Sequence, residues 1–144
     1  MITARYLVKA EYLKILANLS SDQEKMQLVS RFINLEPNDL VGVKEFTTQL
    51  FYLGEFGKSE EDISKAGFRH AYFKEMLAFL DQYPSFKKIP MVAYNSGVWF
   101  NKYEYFHPIS YYDKDRDLWV LGHQCFTCCL ELNIKKCYFL AVKN

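Results

Sequence analysis

The spacing of apolar residues changes near the stretch YPSFKKIP, residues 83–90, and this change limits the folds that the chain can adopt. Before it, apolar residues recur three and four positions apart, which is the pattern of a helix with one buried face. After it, short aromatic and β-branched runs are separated by turn residues, which is typical of antiparallel strands. The sequence therefore predicts an α+β fold, in which an N-terminal helical half of about four helices packs on a C-terminal antiparallel sheet. We expect a single domain, residues 1–144, with a helical part over about residues 1–86 and a β-rich part over about residues 87–144.

The first half contains four segments with helical spacing. They are predicted as residues 2–18, a helix that follows Ser21 and ends before Pro37, a helix from about Asn38 to Gly54, and a helix from Ser59 through Leu80. Ser21 and Glu24 have the spacing of a capping box, in which each side chain accepts a hydrogen bond from the backbone of the other residue. His70 lies on the apolar seam of the last helix, where we expect a partly buried histidine with a hydrogen-bond partner.

The second half predicts two hairpins and a closing strand. IPMVAY and VWFNKYEYF are joined by NSG, ISYY and LWVL are joined by DKDRD, and CYFLAV is the last strand. Alternation along VWFNKYEYF places four side chains on one face, namely Trp99, Asn101, Tyr103 and Tyr105. His107 precedes Pro108 at a predicted break between strands, where we expect an exposed side chain.

Charge is balanced along the chain, which argues against a nucleic acid as partner. Residues 1–88 carry 12 Lys plus Arg against 12 Asp plus Glu, and residues 89–144 carry 6 against 5. Binding to phosphates needs a basic face, and these counts supply none. No stretch approaches the length of an uncharged membrane span, and the first residues lack the order of a signal peptide. We therefore expect a cytoplasmic protein without a membrane or nucleic-acid partner.

Aromatic residues are abundant, with 12 Phe, 11 Tyr and 2 Trp, and motifs for catalysis are missing. The chain has no nucleophile elbow, phosphate loop, dinucleotide fingerprint or metalloprotease helix motif. Tyr and Trp often dominate the binding energy of protein interfaces, because their rigid rings bury a large area. We therefore expect a non-enzymatic module without a cofactor that binds another protein, as an inhibitor, immunity protein or antagonist does. The candidate contact residues are Trp99, Tyr103, Tyr105, Tyr111, Tyr112 and Trp119. The same aromatic surface would also serve a homodimer.

All four cysteines lie within GHQCFTCCLELNIKKC, residues 122–137, which leaves two other functional hypotheses open. The first is a zinc-stabilised module that uses His123, Cys125, Cys128 and Cys137, since two of these have the C-x-x-C spacing. A second short-spaced pair is missing, and strand alternation would separate Cys125 from Cys128, so we expect core-filling thiols rather than metal ligands. The second is an enzyme or small-ligand binder whose pocket uses His70, His123 or a cysteine.

Overall fold

A computed structural model describes residues 4–33, 42–52, 59–99, 101–125 and 137–144. Within these ranges eight strands form one sheet, and four short α-helices are interspersed among them. The strands are β1 (Arg5–Glu11), β2 (Val43–Tyr52), β3 (Phe68–His70), β4 (Met91–Val92), β5 (Val98–Trp99), β6 (Tyr105–Asp113), β7 (Leu118–Cys125) and β8 (Tyr138–Lys143). The helices are α1 (Tyr12–Leu19), α2 (Gln23–Ile33), α3 (Ser59–Lys65) and α4 (Phe73–Gln82). Two 3₁₀ turns cover Pro84–Lys88 and Tyr94–Ser96.

The predicted helical half is wrong, because three strands of the sheet come from it. Strand β1 replaces the start of the predicted helix over residues 2–18, and β2 replaces most of the helix predicted from Asn38 to Gly54. Residues 43–52 satisfy two patterns at once, since Phe46, Thr48 and Leu50 also alternate as a strand requires. The strand is favoured because β2 pairs with β1 on one edge and with β8 on the other, which no local signal could indicate.

The predicted helix from Ser59 through Leu80 is divided into α3, β3 and α4. The division occurs at Gly67, whose φ of 84° lies in the left-handed region that favours glycine. The Gly67 N–H donates to the carbonyl of Ser64 at 3.0 Å and closes the end of α3. Strand β3 then pairs with β8, so His70 lies in a strand and not on a helical seam.

Helix α2 is confirmed over Gln23–Ile33, but its cap is one residue later than the capping box predicted. The Lys25 N–H donates to Oδ1 of Asp22 at 3.2 Å, which is the bond of an N-cap residue to the first turn. The ammonium of Lys25 lies 2.6 Å from the other carboxylate oxygen. These contacts with Lys25 hold the pKa of Asp22 below its usual value. Asp22, rather than Ser21, therefore caps the helix.

Strand β8 lies in the middle of the sheet. Neighbouring strands follow the order β1, β2, β8, β4, β6, β5, with β3 also beside β8 and β7 also beside β6. Helices α1, α2 and α4 contribute to the main core with the inward side chains of the strands. A smaller cluster includes Ile63 of α3 packed with Val92, Ile109 and Phe139. Because Phe139 and Leu140 alternate between the two clusters, these clusters occupy opposite faces of the sheet.

Strands β4 and β5 are two parts of one interrupted strand. Val92 pairs with Ile109 and Val98 pairs with Phe106, both on the side of β6 opposite β7. A step of six residues along β4 and β5 therefore lies opposite a step of three along β6, and the 3₁₀ turn Tyr94–Ser96 accommodates the excess. The hairpin predicted at NSG is wrong, because each of these strands pairs with β6. The single strand predicted over VWFNKYEYF is also wrong, because the chain reverses between β5 and β6, so Trp99 and Tyr105 are cross-strand partners and do not alternate along one strand.

The remaining β predictions have mixed outcomes. The hairpin of ISYY with LWVL is confirmed, since β6 and β7 pair from Phe106 opposite Cys125 to Asp113 opposite Leu118. The strand predicted at CYFLAV is confirmed as β8. The break predicted at His107 is wrong, because β6 continues through it to Asp113.

Candidate functional site

The six predicted contact residues fall into two groups. Trp99, Tyr103 and Tyr105 lie near the start of β6, whereas Tyr111, Tyr112 and Trp119 lie near its end or opposite that end on β7. A separation of seven strand residues, from Tyr105 to Tyr112, corresponds to roughly 23 Å. A partner whose contact surface is narrower than this distance would therefore contact one of the two groups and not both.

The first group, which we call the hairpin tip, consists of Trp99, Tyr103 and Tyr105. Trp99 pairs with Tyr105 across the β5–β6 hairpin, and the ring centroids are 5.0 Å apart. Trp99 is 63% exposed and Tyr103 is 79% exposed, so both rings are in solvent. The loop that carries Tyr103 is braced by Asn101, whose Oδ1 accepts from the N–H groups of Tyr103 at 2.8 Å and Glu104 at 3.0 Å.

Tyr105 is the member of the hairpin tip that packs against the rest of the chain. Its hydroxyl lies where a side chain at position 97 would begin, since a Cβ on Gly97 would be 2.3 Å from that oxygen. Glycine is therefore required for this close approach of ring and backbone. The edge of Tyr105 also contacts the ring of His107, with centroids 5.0 Å apart. Tyr105 is thus held by contacts within the chain, and Trp99 and Tyr103 are the two rings that a partner can contact.

The second group consists of Tyr111, Tyr112 and Trp119, and its rings contact other parts of the chain. The indole N–H of Trp119 donates to Oγ of Ser110 at 2.7 Å, and the ammonium groups of Lys25 and Lys87 lie 5.1 and 4.2 Å from its ring centroid. The ring borders a cleft of about 260 Å³ between α1, α2 and α4. Tyr111 packs against the smaller cluster on the other face of the sheet. These rings therefore fit an interface less well than the hairpin tip does.

A buried cluster of His70, Tyr94 and His107 lies under the hairpin tip, at the interruption between β4 and β5. His70 is 4% exposed and His107 is 3% exposed. The Tyr94 ring stacks on His107 with centroids 4.4 Å apart and contacts His70 at 4.6 Å. Aromatic contacts thus run from Trp99 through Tyr105 to this histidine cluster. The prediction of an exposed His107 is wrong, because the 3₁₀ turn folds Tyr94 over it.

The histidine cluster is neutral at neutral pH. Burial lowers the pKa of His70 to about 4, and the nearby His107 adds to this effect. Burial likewise lowers the pKa of His107 to about 4, although the Tyr94 carbonyl, 3.0 Å from Nδ1, opposes the shift. Neither ring nitrogen of His70 has a hydrogen-bond partner in the part of the chain that the structure describes. The sequence prediction of a partnered His70 is therefore wrong for these residues.

Three hydrogen bonds, two of which use side chains of the turn, hold β3 and the start of α4 against the 3₁₀ turn. Asn95 donates from Nδ2 to the His70 carbonyl at 2.7 Å and from its backbone N–H to the Ala71 carbonyl at 3.1 Å. Ser96 accepts from the Phe73 N–H at 2.7 Å, at the start of α4. The position of the histidine cluster is therefore fixed by β3 and α4, which are adjacent in sequence, and by the turn, which is 23 to 25 residues further along the chain.

The proposed zinc ligands are only partly described. Cys128 and the side chain of Cys125 lie outside the described residues. His123 packs edge-on against Phe106 of the main core, with centroids 4.7 Å apart, whereas Cys137 is buried in the smaller cluster on the opposite face. Burial raises the pKa of Cys137 to about 11, which keeps it a thiol. The structure therefore does not bring His123 and Cys137 together.

Sequence reasoning missed Tyr94 and His107 as members of one site. One signal was present, since His107, Ile109 and Tyr111 alternate as the residues of a half-buried strand do. Pro108 argued against this signal, because a proline usually marks the end of a strand.

No protein-family model matches the chain, and neither the curated proteins nor the solved structures contain a detectable relative. Among the described residues, no helix has both the length and the apolar character that a membrane crossing requires.

Proposed function

We propose that the chain is a non-enzymatic protein-binding module, of the inhibitor, immunity or antagonist type, that contacts its partner through the hairpin tip. The cytosol is the proposed location, because a buried thiol such as Cys137 is compatible with a reducing compartment. The observation that carries the proposal is the exposure of Trp99 and Tyr103 on a braced hairpin.

Two physical features of the tip favour binding. Trp and Tyr, together with Arg, are enriched among the interface residues whose truncation to Ala costs a complex more than about 2 kcal/mol of binding free energy. Asn101 accepts from the backbone N–H of Tyr103, and Tyr105 contacts the ring of Trp99, so part of the conformational freedom of this hairpin is already lost before a partner binds. An exposed aromatic pair on a hydrogen-bonded loop is therefore better suited to recognition than the same pair on an unrestrained loop.

The test compares three forms of the protein as affinity baits in an extract of the cells that express it. They are the wild type, the double variant Trp99→Ala with Tyr103→Ala, and the control Leu13→Ala. Leu13 is on α1 and is 79% exposed, so its truncation removes a comparable apolar side chain elsewhere. Tyr105 is left unchanged, because it supports the hairpin itself.

A partner that binds through the tip is retained by the wild type and by Leu13→Ala, and is lost with the double variant. Calorimetry with that purified partner should then give a dissociation constant at least 30-fold weaker for the double variant, equivalent to about 2 kcal/mol. Equal affinities for all three proteins would refute the assignment of the tip.

A small-ligand or catalytic role for the histidine cluster is the second candidate. The observation in its favour is His70, a buried neutral imidazole whose nitrogens lack partners among the described residues. Native mass spectrometry of protein from its own cells, compared with His70→Phe, tests this role. A small molecule retained by the wild type and absent from the variant would support it, whereas an unliganded wild-type mass would count against it.

A further inference from the structure

The outer edge of β1 has backbone groups that are arranged to pair with another strand. Among the described strands, β1 pairs only with β2. Both backbone groups of a strand residue point to the same side, and the bonded groups of Leu7 and Lys9 point away from β2. By the same alternation, the N–H and C=O groups of Arg5, Leu7 and Lys9 lie at this edge, whereas Glu11 is the N-cap of α1 and its C=O belongs to the helix.

Two side chains at the end of α4 occupy this edge. Gln82 accepts from the Lys9 N–H through Oε1 at 2.9 Å and donates from Nε2 to the Leu7 carbonyl at 3.2 Å. Tyr83 donates its hydroxyl to the same carbonyl at 2.6 Å. A primary amide has the donor and acceptor of a peptide group, so Gln82 takes the place of one residue of a neighbouring strand.

The sequence of β1 is self-complementary when read antiparallel about Val8. In that register Leu7 lies opposite Lys9 of a second copy, and Arg5 lies opposite Glu11. The two-fold axis creates the Arg5–Glu11 pair twice, with opposite charges facing each other across the strands. Leu7, 57% exposed, would pack against the methylene groups of the lysine opposite it. The hydrogen bonds between Leu7 and Lys9 in this pairing use the two groups that Gln82 occupies.

We propose that the β1 edge is a pairing surface for the β1 edge of a second copy of this chain, and that Gln82 and Tyr83 keep it closed. The two arrangements exclude each other, because both require the Leu7 carbonyl and the Lys9 N–H. Displacement of the Gln82 side chain opens the edge, and antiparallel pairing about Val8 then produces a two-fold dimer with one continuous sheet.

The test uses Gln82→Met with Tyr83→Phe, which removes all three bonds and keeps the size of both side chains. The control is Gln27→Ala, an exposed glutamine on α2. Sedimentation velocity over a range of concentrations should give a dimer dissociation constant at least tenfold lower for the double variant than for the wild type and the control. Should the double variant fail to fold, Gln82→Met alone is measured in the same way.

Charge reversal tests the register. In the variant with the open edge, Arg5→Glu places two carboxylates opposite each other and should weaken the dimer at least tenfold. Addition of Glu11→Arg restores opposite charges and should restore the dimer. A folded variant with the dissociation constant of the wild type would overturn the proposal, and so would a dimer that does not respond to Arg5→Glu.

Discussion

Two buried side chains of the histidine cluster make the stability of this protein depend on pH. His70 and His107 have pKa values of about 4 in the folded chain, against about 6.5 for an unperturbed histidine. The unfolded chain therefore binds protons first as the pH falls. Above pH 6.5 the rings are neutral in both states and do not make stability depend on pH, whereas between pH 6.5 and 4 protonation of the unfolded chain lowers the free energy of unfolding by about 3 kcal/mol for each ring.

We expect the free energy of unfolding to fall between pH 6 and pH 5 by up to about 1.4 kcal/mol per unit for each of the two rings. In His70→Phe one of these contributions disappears, so the slope is reduced by up to half. Urea titrations at several pH values measure both slopes. Equal slopes in the two proteins would contradict the low pKa of His70.

At neutral pH, His70→Phe should raise the free energy of unfolding by about 1 to 2 kcal/mol. The substitution removes a buried polar group that has no partner among the described residues and retains a ring of similar shape. His107→Phe provides the contrast, because it removes the contact between Nδ1 and the Tyr94 carbonyl and should lower stability by about 1 to 3 kcal/mol. A loss of stability in His70→Phe would mean that the His70 ring has a stabilising partner.

Among the elements, the interrupted strand is one that the sequence could not predict. NSG has the composition of a hairpin turn, and only the pairing of β4 and β5 with β6 shows that it inserts extra residues into a strand. The β6–β7 hairpin was predictable because its turn and its pairing are local. In contrast, β1 and β2 pair across two helices, so their strand state depends on residues that a local pattern does not include.

Gly97→Ala tests how tightly β5 is seated against β6. A methyl group at this position would overlap the Tyr105 ring, so the ring must move, and we expect a loss of about 1 to 3 kcal/mol in the free energy of unfolding. In a Tyr105→Ala background the overlap is removed, and the same glycine substitution should cost less than about 0.5 kcal/mol. Chemical denaturation of the four proteins in this cycle measures the difference. Equal costs in both backgrounds would show that ring and glycine are not coupled.

In the whole molecule, strands from both halves of the chain alternate in one sheet. The helical-half prediction failed for this reason: β8 from the second half separates β2 from β4, and β3 from the first half also pairs with β8. The α+β prediction assumed that every strand of the sheet comes from the second half of the chain. The sequence named Trp99 and Tyr103 as contact residues on one continuous strand, but their exposure in the structure comes from the short hairpin of β5 and β6, which the sequence pattern did not predict.

The central position of β8 also has a consequence for protein synthesis. Residues 138–143 leave the ribosome after every other described strand, yet β2, β3 and β4 all use β8 as a neighbour. A nascent chain that has not reached these residues holds unpaired strand edges and an open core, and such chains bind chaperones or aggregate. The sheet can therefore be completed only after β8 has been translated.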